Sequence, residues 1–256
     1  MYPLKMKPVI KDIIWGGNKM KEMFGKEYDF EKAGESWEVS TNSAGKSIIA
    51  NGELSGMTLA DAIAKYPEIA GKTLDDFPLM LKIIDANSDL SIQVHPGDDY
   101  AAKHENGARG KTEMWYIISA EPDAKIGYGL KKPMSNDEIR AAIEKGNLEE
   151  YIRYINVLAG ETYFIPAGTI HSICFMLIRL SMLFSKLLPR PNRALMMVLR
   201  KKILFTAITS CVMLSIPIKP TMTALLRVII FCFSRTVREK FLTAAARKSL
   251  LPEIHS

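Results

Sequence analysis

Gly160-Glu161-Thr162-Tyr163-Phe164-Ile165-Pro166-Ala167-Gly168-Thr169-Ile170-His171 is the stretch on which the reading of this chain turns. Its first half continues an apolar run from Val157 and, with Thr162, Tyr163, Phe164 and Ile165, reads as a strand. Pro166 brings no N–H to a ladder and Gly168 favours a turn, so the chain bends just ahead of His171. A histidine delivered in this way can act as a metal ligand through its neutral ring.

Working outward, Leu90-Ser91-Ile92-Gln93-Val94-His95 alternates as a strand would, with Ser91, Gln93 and His95 on one face. Gln93 and His95 can then reach one ion together. Thr112–Ile118 reads as the next strand and offers the carboxylate of Glu113. Two imidazoles, one carboxylate and one amide oxygen form a donor set that suits zinc. A lone Gln-x-His is weak, since a single strand histidine is more often a satisfied half-buried residue; the second motif changes its weight.

Gly160-x5-Pro166-x-Gly168-x2-His171 resembles the second motif of the cupins, and Gln93-x-His95 followed by Glu113 resembles the first with a longer gap. The resemblance implies a mainly β fold, a cupin jelly-roll or double-stranded β-helix barrel whose mouth can hold a ligand beside the metal. Short helical insertions are expected within it. Thr58 and Ser135 head capping-box sequences, and Leu148–Ile155 reads as a further helix. Strands are also expected at Pro8–Ile10, Ile13–Trp15, Ser36–Ser40, Ser47–Ala50 and Phe77–Asp85.

A closer likeness is carried by Trp15-Gly16-Gly17, Gly34-Glu35-Ser36-Trp37-Glu38-Val39-Ser40, Ser91-Ile92-Gln93-Val94-His95-Pro96, Gly110-Lys111-Thr112-Glu113-Met114-Trp115-Tyr116 and Pro166–His171. Across residues 1–172 the chain resembles the type I mannose-6-phosphate isomerases in their short bacterial form. That resemblance implies an aldose–ketose isomerase interconverting mannose 6-phosphate and fructose 6-phosphate. It implies one Zn2+ per chain on Gln93, His95, Glu113 and His171, a sugar phosphate as the small-molecule partner, and Lys111 as a catalytic candidate for proton handling or for holding anionic oxygens. The plainer reading of Lys111 is a solvated lysine at a strand end. Glu35 and Glu38 read more readily as ion-pair partners of lysines on a sheet face, and His104, in a polar run, as exposed and inert.

Composition divides the chain at residue 173. Residues 1–172 hold 20 Lys+Arg and 26 Asp+Glu, whereas 173–256 hold 14 and 2. All 16 Gly, 9 Tyr and 3 Trp precede the boundary, and all three cysteines, Cys174, Cys211 and Cys232, follow it. Position 175, where the second motif would carry Asn, is Phe. Leu, Ser and Arg, each encoded by six codons, supply 29 of the tail's 84 residues, which points to a shifted reading frame near codon 173. Without Gly or Asp the tail has few means of forming tight hairpins, so it is expected to be irregular or helical and the barrel incomplete. The family's arginine-bearing continuation is then lost, and activity with it through C-terminal truncation.

Alternatives follow from the same residues. The uncharged run Ile203–Ile218 falls short of the ~20 residues of a spanning helix, which leaves contact of a basic tail with an anionic membrane as the competing account. A nucleic-acid partner is disfavoured because the tail has no Tyr or Trp for stacking. A metal cupin of other chemistry, or a non-catalytic membrane-associated protein, are the competing functions. The N-terminus lacks a secretory pattern and the first 172 residues lack cysteine, which points to the cytoplasm. No oligomeric state follows from these features.

Overall fold

The computed structural model describes residues 2–70, 77 and 79–174, and the backbone of 177–184. The strands, in chain order, are β1 (Met6–Lys7), β2 (Val9–Lys11), β3 (Glu35–Val39), β4 (Ile48–Ile49), β5 (Leu79–Ala86), β6 (Thr112–Ala120), β7 (Lys125–Leu130), β8 (Ile152–Asn156), β9 (Thr162–Ile165), β10 (His171–Cys174) and β11 (Leu177–Phe184). Between them lie the short helices α1 (Lys19–Phe24), α2 (Leu59–Lys65), α3 (Asp98–His104) and α4 (Asn136–Glu144). No helix among the described residues is long and apolar enough to cross a membrane.

Six strands form one antiparallel sheet in the order β2-β3-β5-β11-β6-β9, and three form a second, β10-β7-β8. Alternation along β5 and β6 divides the residues between two cores. Leu79, Leu81 and Ile83 of β5, with Met114 and Tyr116 of β6, pack on Met20 and Phe24 of α1 and Leu59 and Ile63 of α2. Trp115 and Ile117 of β6 lie on the opposite face and pack, with Ile165, on Ile126 and Ile173 of the three-stranded sheet. Each fully buried side chain of this kind contributes roughly 1.5–3 kcal/mol, so the sheet is held on both faces.

Local chemistry explains the helix ends. The Thr58 hydroxyl accepts from the Asp61 N–H, and α2 ends at Tyr66, before Pro67. Ser135 and Glu138 form the expected reciprocal capping box on α4. At α1 a distant residue does this work: Asp85, at the end of β5, accepts from the Lys19 N–H at 2.8 Å. Burial pushes the Asp85 carboxyl above its ordinary value, while the backbone bond opposes the rise.

Several sequence expectations need correction. Ile13–Trp15 is a turn closed by the Gly16 N–H on the Ile13 carbonyl at 2.8 Å. Leu90–His95 forms no regular strand. Its Leu90 and Gln93 N–H groups reach the Ile173 and His171 carbonyls, both at 2.9 Å, without a continuous ladder between them. The helix expected over Leu148–Ile155 is one 3₁₀ turn, Leu148–Tyr151, followed by β8. Ile152, Tyr154 and Ile155 prefer the sheet, where Ile152 is fully buried opposite Leu130.

The largest departure is β11, because Leu177–Phe184 lies in the tail expected to be irregular or helical. It pairs with β5 along one edge and β6 along the other. No tight hairpin is needed for this, since the preceding strand β10 belongs to the other sheet. The alternation of Ile178, Leu180, Met182 and Phe184 also suits the slot. Leu180 takes the register position opposite Ile83 and Tyr116, and Met182 the one opposite Leu81 and Met114. The remaining tail expectations, including the apolar run Ile203–Ile218, fall outside the described residues, as do Cys211 and Cys232.

Candidate metal centre

Glu113 sits at the start of β6 with 3% of its surface exposed. Its Oε2 accepts from the indole N–H of Trp115 at 2.7 Å, a bond between residues two apart on one strand face. The same Glu-x-Trp device recurs on β3, where the Trp37 N–H donates to Glu35 Oε2 at 2.6 Å. A buried carboxylate needs such donors, because an uncompensated charge in the interior is costly.

His171 opens β10 and is fully buried. Its Nδ1 lies 2.8 Å from the Thr169 carbonyl oxygen, which can only accept, so Nδ1 donates and Nε2 is the ring nitrogen left to face Glu113. That Nε2 stands 3.7 Å from Glu113 Oε2. The bend before it behaves as the sequence suggests: Gly168 has φ 83°, and its N–H donates to the His95 carbonyl at 2.7 Å. One turn thus ties the segment carrying His95 to the strand carrying His171.

His95 Nε2 lies 3.5 Å from Glu113 Oε1. The candidate ligand atoms of His95, Glu113 and His171 all fall within 4.8 Å of one another, a group that can hold a metal ion. Gln93 is joined to His171 by two backbone hydrogen bonds, 2.9 and 2.8 Å, and lines the adjoining cavity. The donor chemistry fits a divalent ion: two neutral-type ring nitrogens and one carboxylate converge from three separate segments.

Lys111 lies at the same point. Its Nζ is 2.8 Å from His95 Nε2 and 2.8 Å from Glu113 Oε1. Lys111 and Glu113 also border a cavity of about 270 Å³ whose walls include Gln93, Glu35, Lys82 and Trp15. Lys82 was missed by sequence reasoning, although a lone cation inside the apolar run Pro78–Ala86 was a signal. It pairs with Glu35 at 3.0 Å and stands 4.8 Å from the centroid of the Trp37 ring. Glu35 and Glu38 are both paired with lysines, the latter with Lys26 at 2.7 Å. His104 is exposed on α3, its ring 4.3 Å from that of Tyr100.

Fold and site together define a class, an antiparallel β protein that gathers a His-Glu-His group, two of its three residues buried, beside a polar cavity. Comparison with known proteins then narrows it. Residues 3–125 match the family described as phosphomannose isomerase type I, catalytic domain. Mannose-6-phosphate isomerase ManA of Bacillus subtilis is 41% identical over 172 residues, 67% of this chain and 54% of that protein. Mannose-6-phosphate isomerase of Streptococcus mutans is 40% identical over 172 residues, with the same coverage. The crystal structure of mannose 6-phosphate isomerase from Bacillus subtilis superposes with a TM-score of 0.69 at 37% identity, covering 73% of this chain and 59% of that one. Residues 3–125 thus match the model of the type I phosphomannose isomerase catalytic domain, and about two thirds of the chain is similar to mannose-6-phosphate isomerases. The chain spans about half the length of the curated relatives it matches.

Proposed function

We propose that the chain derives from, and retains the metal centre of, a zinc-dependent isomerase that interconverts mannose 6-phosphate and fructose 6-phosphate. The observation that carries this reading is the convergence of His95, Glu113 and His171 in a chain about 40% identical to mannose-6-phosphate isomerases. The ligand set is completed by the side-chain oxygen of Gln93, on a cupin-type jelly roll. When bound, zinc supplies a Lewis acid that favours negative charge on the oxygens of the reacting carbons.

The chain's own residues have separable tasks. Moving a proton between neighbouring carbons requires a group that takes and returns it, and Lys111 at the cavity wall is that group. Lys82 presents a second cation to an anionic sugar phosphate, and Glu35 limits where its ammonium can stand. Trp15 and the bordering Ile13, Ile84 and Leu90 exclude water from one side of the cavity.

Residues 173–256 are, in this proposal, the product of a shifted reading frame, from which β11 has been recruited into the sheet. The arginine-bearing half implied by the family resemblance has no counterpart in this tail, so turnover is low or lost in a cytoplasmic protein that still binds metal. The test is zinc stoichiometry on the purified 256-residue chain, with a coupled assay for fructose 6-phosphate. The same assay is run on a chimera joining residues 1–172 to the corresponding second half of the Bacillus subtilis enzyme. The expected result is one zinc per chain, feeble turnover alone, and chelator-sensitive turnover in the chimera. A folded chimera that binds zinc without isomerising the sugar, or a native chain that binds no zinc, overturns the proposal.

A further inference from the structure

Away from the His-Glu-His group, Lys82 and Trp37 meet across two strands. They are register partners on β5 and β3, and Glu35, two residues from Trp37, shares its face of the sheet. Lys82 Nζ stands 3.0 Å from Glu35 Oε2 and 4.8 Å from the centroid of the Trp37 ring. The same carboxylate oxygen accepts the indole N–H at 2.6 Å. The Lys82 side chain, 13% exposed, is thus confined by an oxygen that the indole fixes and by the indole ring itself.

The ring is braced in turn. Val9 of β2 is its register partner on the side away from Lys82. The Lys11 ammonium, which donates to the Ala44 carbonyl at 2.6 Å, also stands 4.8 Å from the ring centroid. A Cβ built on Gly45 would come within 3.0 Å of the ring carbon Cε3, so the backbone passes close enough to keep the indole from turning away.

We propose that Trp37, which stands behind Lys82 rather than on the cavity wall, is a positioning residue that holds the Lys82 ammonium ready for the phosphate group of a sugar phosphate. This rests on the reading of the cavity as a sugar-phosphate site. The two contacts on Lys82 differ in what they do to its charge. A carboxylate holds an ammonium but opposes its charge, whereas a ring face attracts a cation without a counter-charge. The indole N–H also takes up part of the charge on the Glu35 oxygen that Lys82 meets. With the indole gone, the flexible lysine stem lets the ammonium close onto Glu35 as an ordinary ion pair, which an incoming phosphate has to break.

Calorimetric titration of the full 256-residue chain with mannose 6-phosphate tests this, with mannose as the ligand that lacks the phosphate. Trp37→Leu is expected to weaken mannose 6-phosphate binding about tenfold, in keeping with the loss of one cation–ring contact and one hydrogen bond to a charged group. In a Lys82→Met background the same replacement should change the affinity less than about twofold, because the group through which Trp37 acts is gone. Trp37→Phe keeps a ring face and loses the N–H, so its affinity should fall between wild type and Trp37→Leu; it carries the same comparison if Trp37→Leu does not melt cooperatively. A merely structural role would weaken binding by the same factor in both backgrounds. That result, or a Trp37→Leu chain that binds mannose 6-phosphate as wild type does, overturns the inference while leaving the sugar-phosphate site intact. A wild-type chain that binds mannose 6-phosphate no better than mannose refutes the sugar-phosphate reading itself, and the inference falls with it.

Discussion

Replacing Trp115 with Phe removes one hydrogen bond at the floor of the site and leaves most of the surrounding packing in place. The indole N–H donates to Glu113 Oε2 at 2.7 Å, with Trp115 fully buried and Glu113 3% exposed. A hydrogen bond to a buried charged group is worth about 1.5–3 kcal/mol. The smaller ring forfeits on the order of 1 kcal/mol more in apolar burial. The expected loss is therefore roughly 3 kcal/mol, a large part of a typical domain's stability of about 5–15 kcal/mol. A carboxylate that has lost its indole donor should also bind zinc about 10–100-fold more weakly, as when other partners that orient a metal ligand are removed. Trp37→Phe is the internal control, since it breaks the same kind of bond to Glu35, whose side chain is 15% exposed and also paired with Lys82. Urea unfolding in chelator, with zinc competition on the folded proteins, gives both quantities. A Trp115→Phe protein that loses less than Trp37→Phe and keeps its zinc affinity would refute the account of Glu113 as a carboxylate aimed by the indole.

Three other outcomes are expected. Leu180→Pro removes an N–H from a strand paired on both sides and should cost on the order of 3 kcal/mol, read as a large fall in Tm; a near-native melt would show that β11 contributes little. Gly168→Ala places a side chain where φ is 83° with no atom near the new Cβ, so its cost of about 1 kcal/mol comes from the backbone alone; zinc titration should show weaker binding as the bond to the His95 carbonyl shifts. Asp85 keeps its proton to higher pH in the folded chain than in the unfolded one. Its contribution to stability is thus favourable at acid pH and declines as pH rises from the ordinary value of 3.8 to the raised native one. Asp85→Asn should abolish that slope in urea melts taken across the interval, and parallel curves for the two proteins would exclude Asp85 as its source.

Features that depend on local chemistry were the easiest to read in the sequence. The Thr58 and Ser135 caps follow from hydroxyls placed three residues before a free N–H, and both formed. His95, Glu113 and His171 were legible as a set because two short spacings pointed to one donor chemistry, and the structure brings these three together. What escaped depends on partners distant in sequence. Leu148–Ile155 has a helix-like pattern until Ile152 finds Leu130 across the sheet. Lys82 looks misplaced in an apolar strand until Glu35 and Trp37 arrive from β3. The strand at Leu177–Phe184 was hidden by composition, because missing glycines argue against hairpins but say nothing about a strand that enters an open slot.

That slot sets a timetable for synthesis. β5 is complete at Ala86, but its neighbour on one side is not made until Leu177–Phe184. At ordinary elongation rates of about 5–20 residues per second, the edges of β5 and β6 await their partner for on the order of ten seconds. During that time β2-β3-β5 and β6-β9 are separate ribbons, each with an unpaired edge open to other chains. The yield of folded protein should then depend on the speed of translation and on the chaperones that shield nascent chains, before any question of metal or substrate arises.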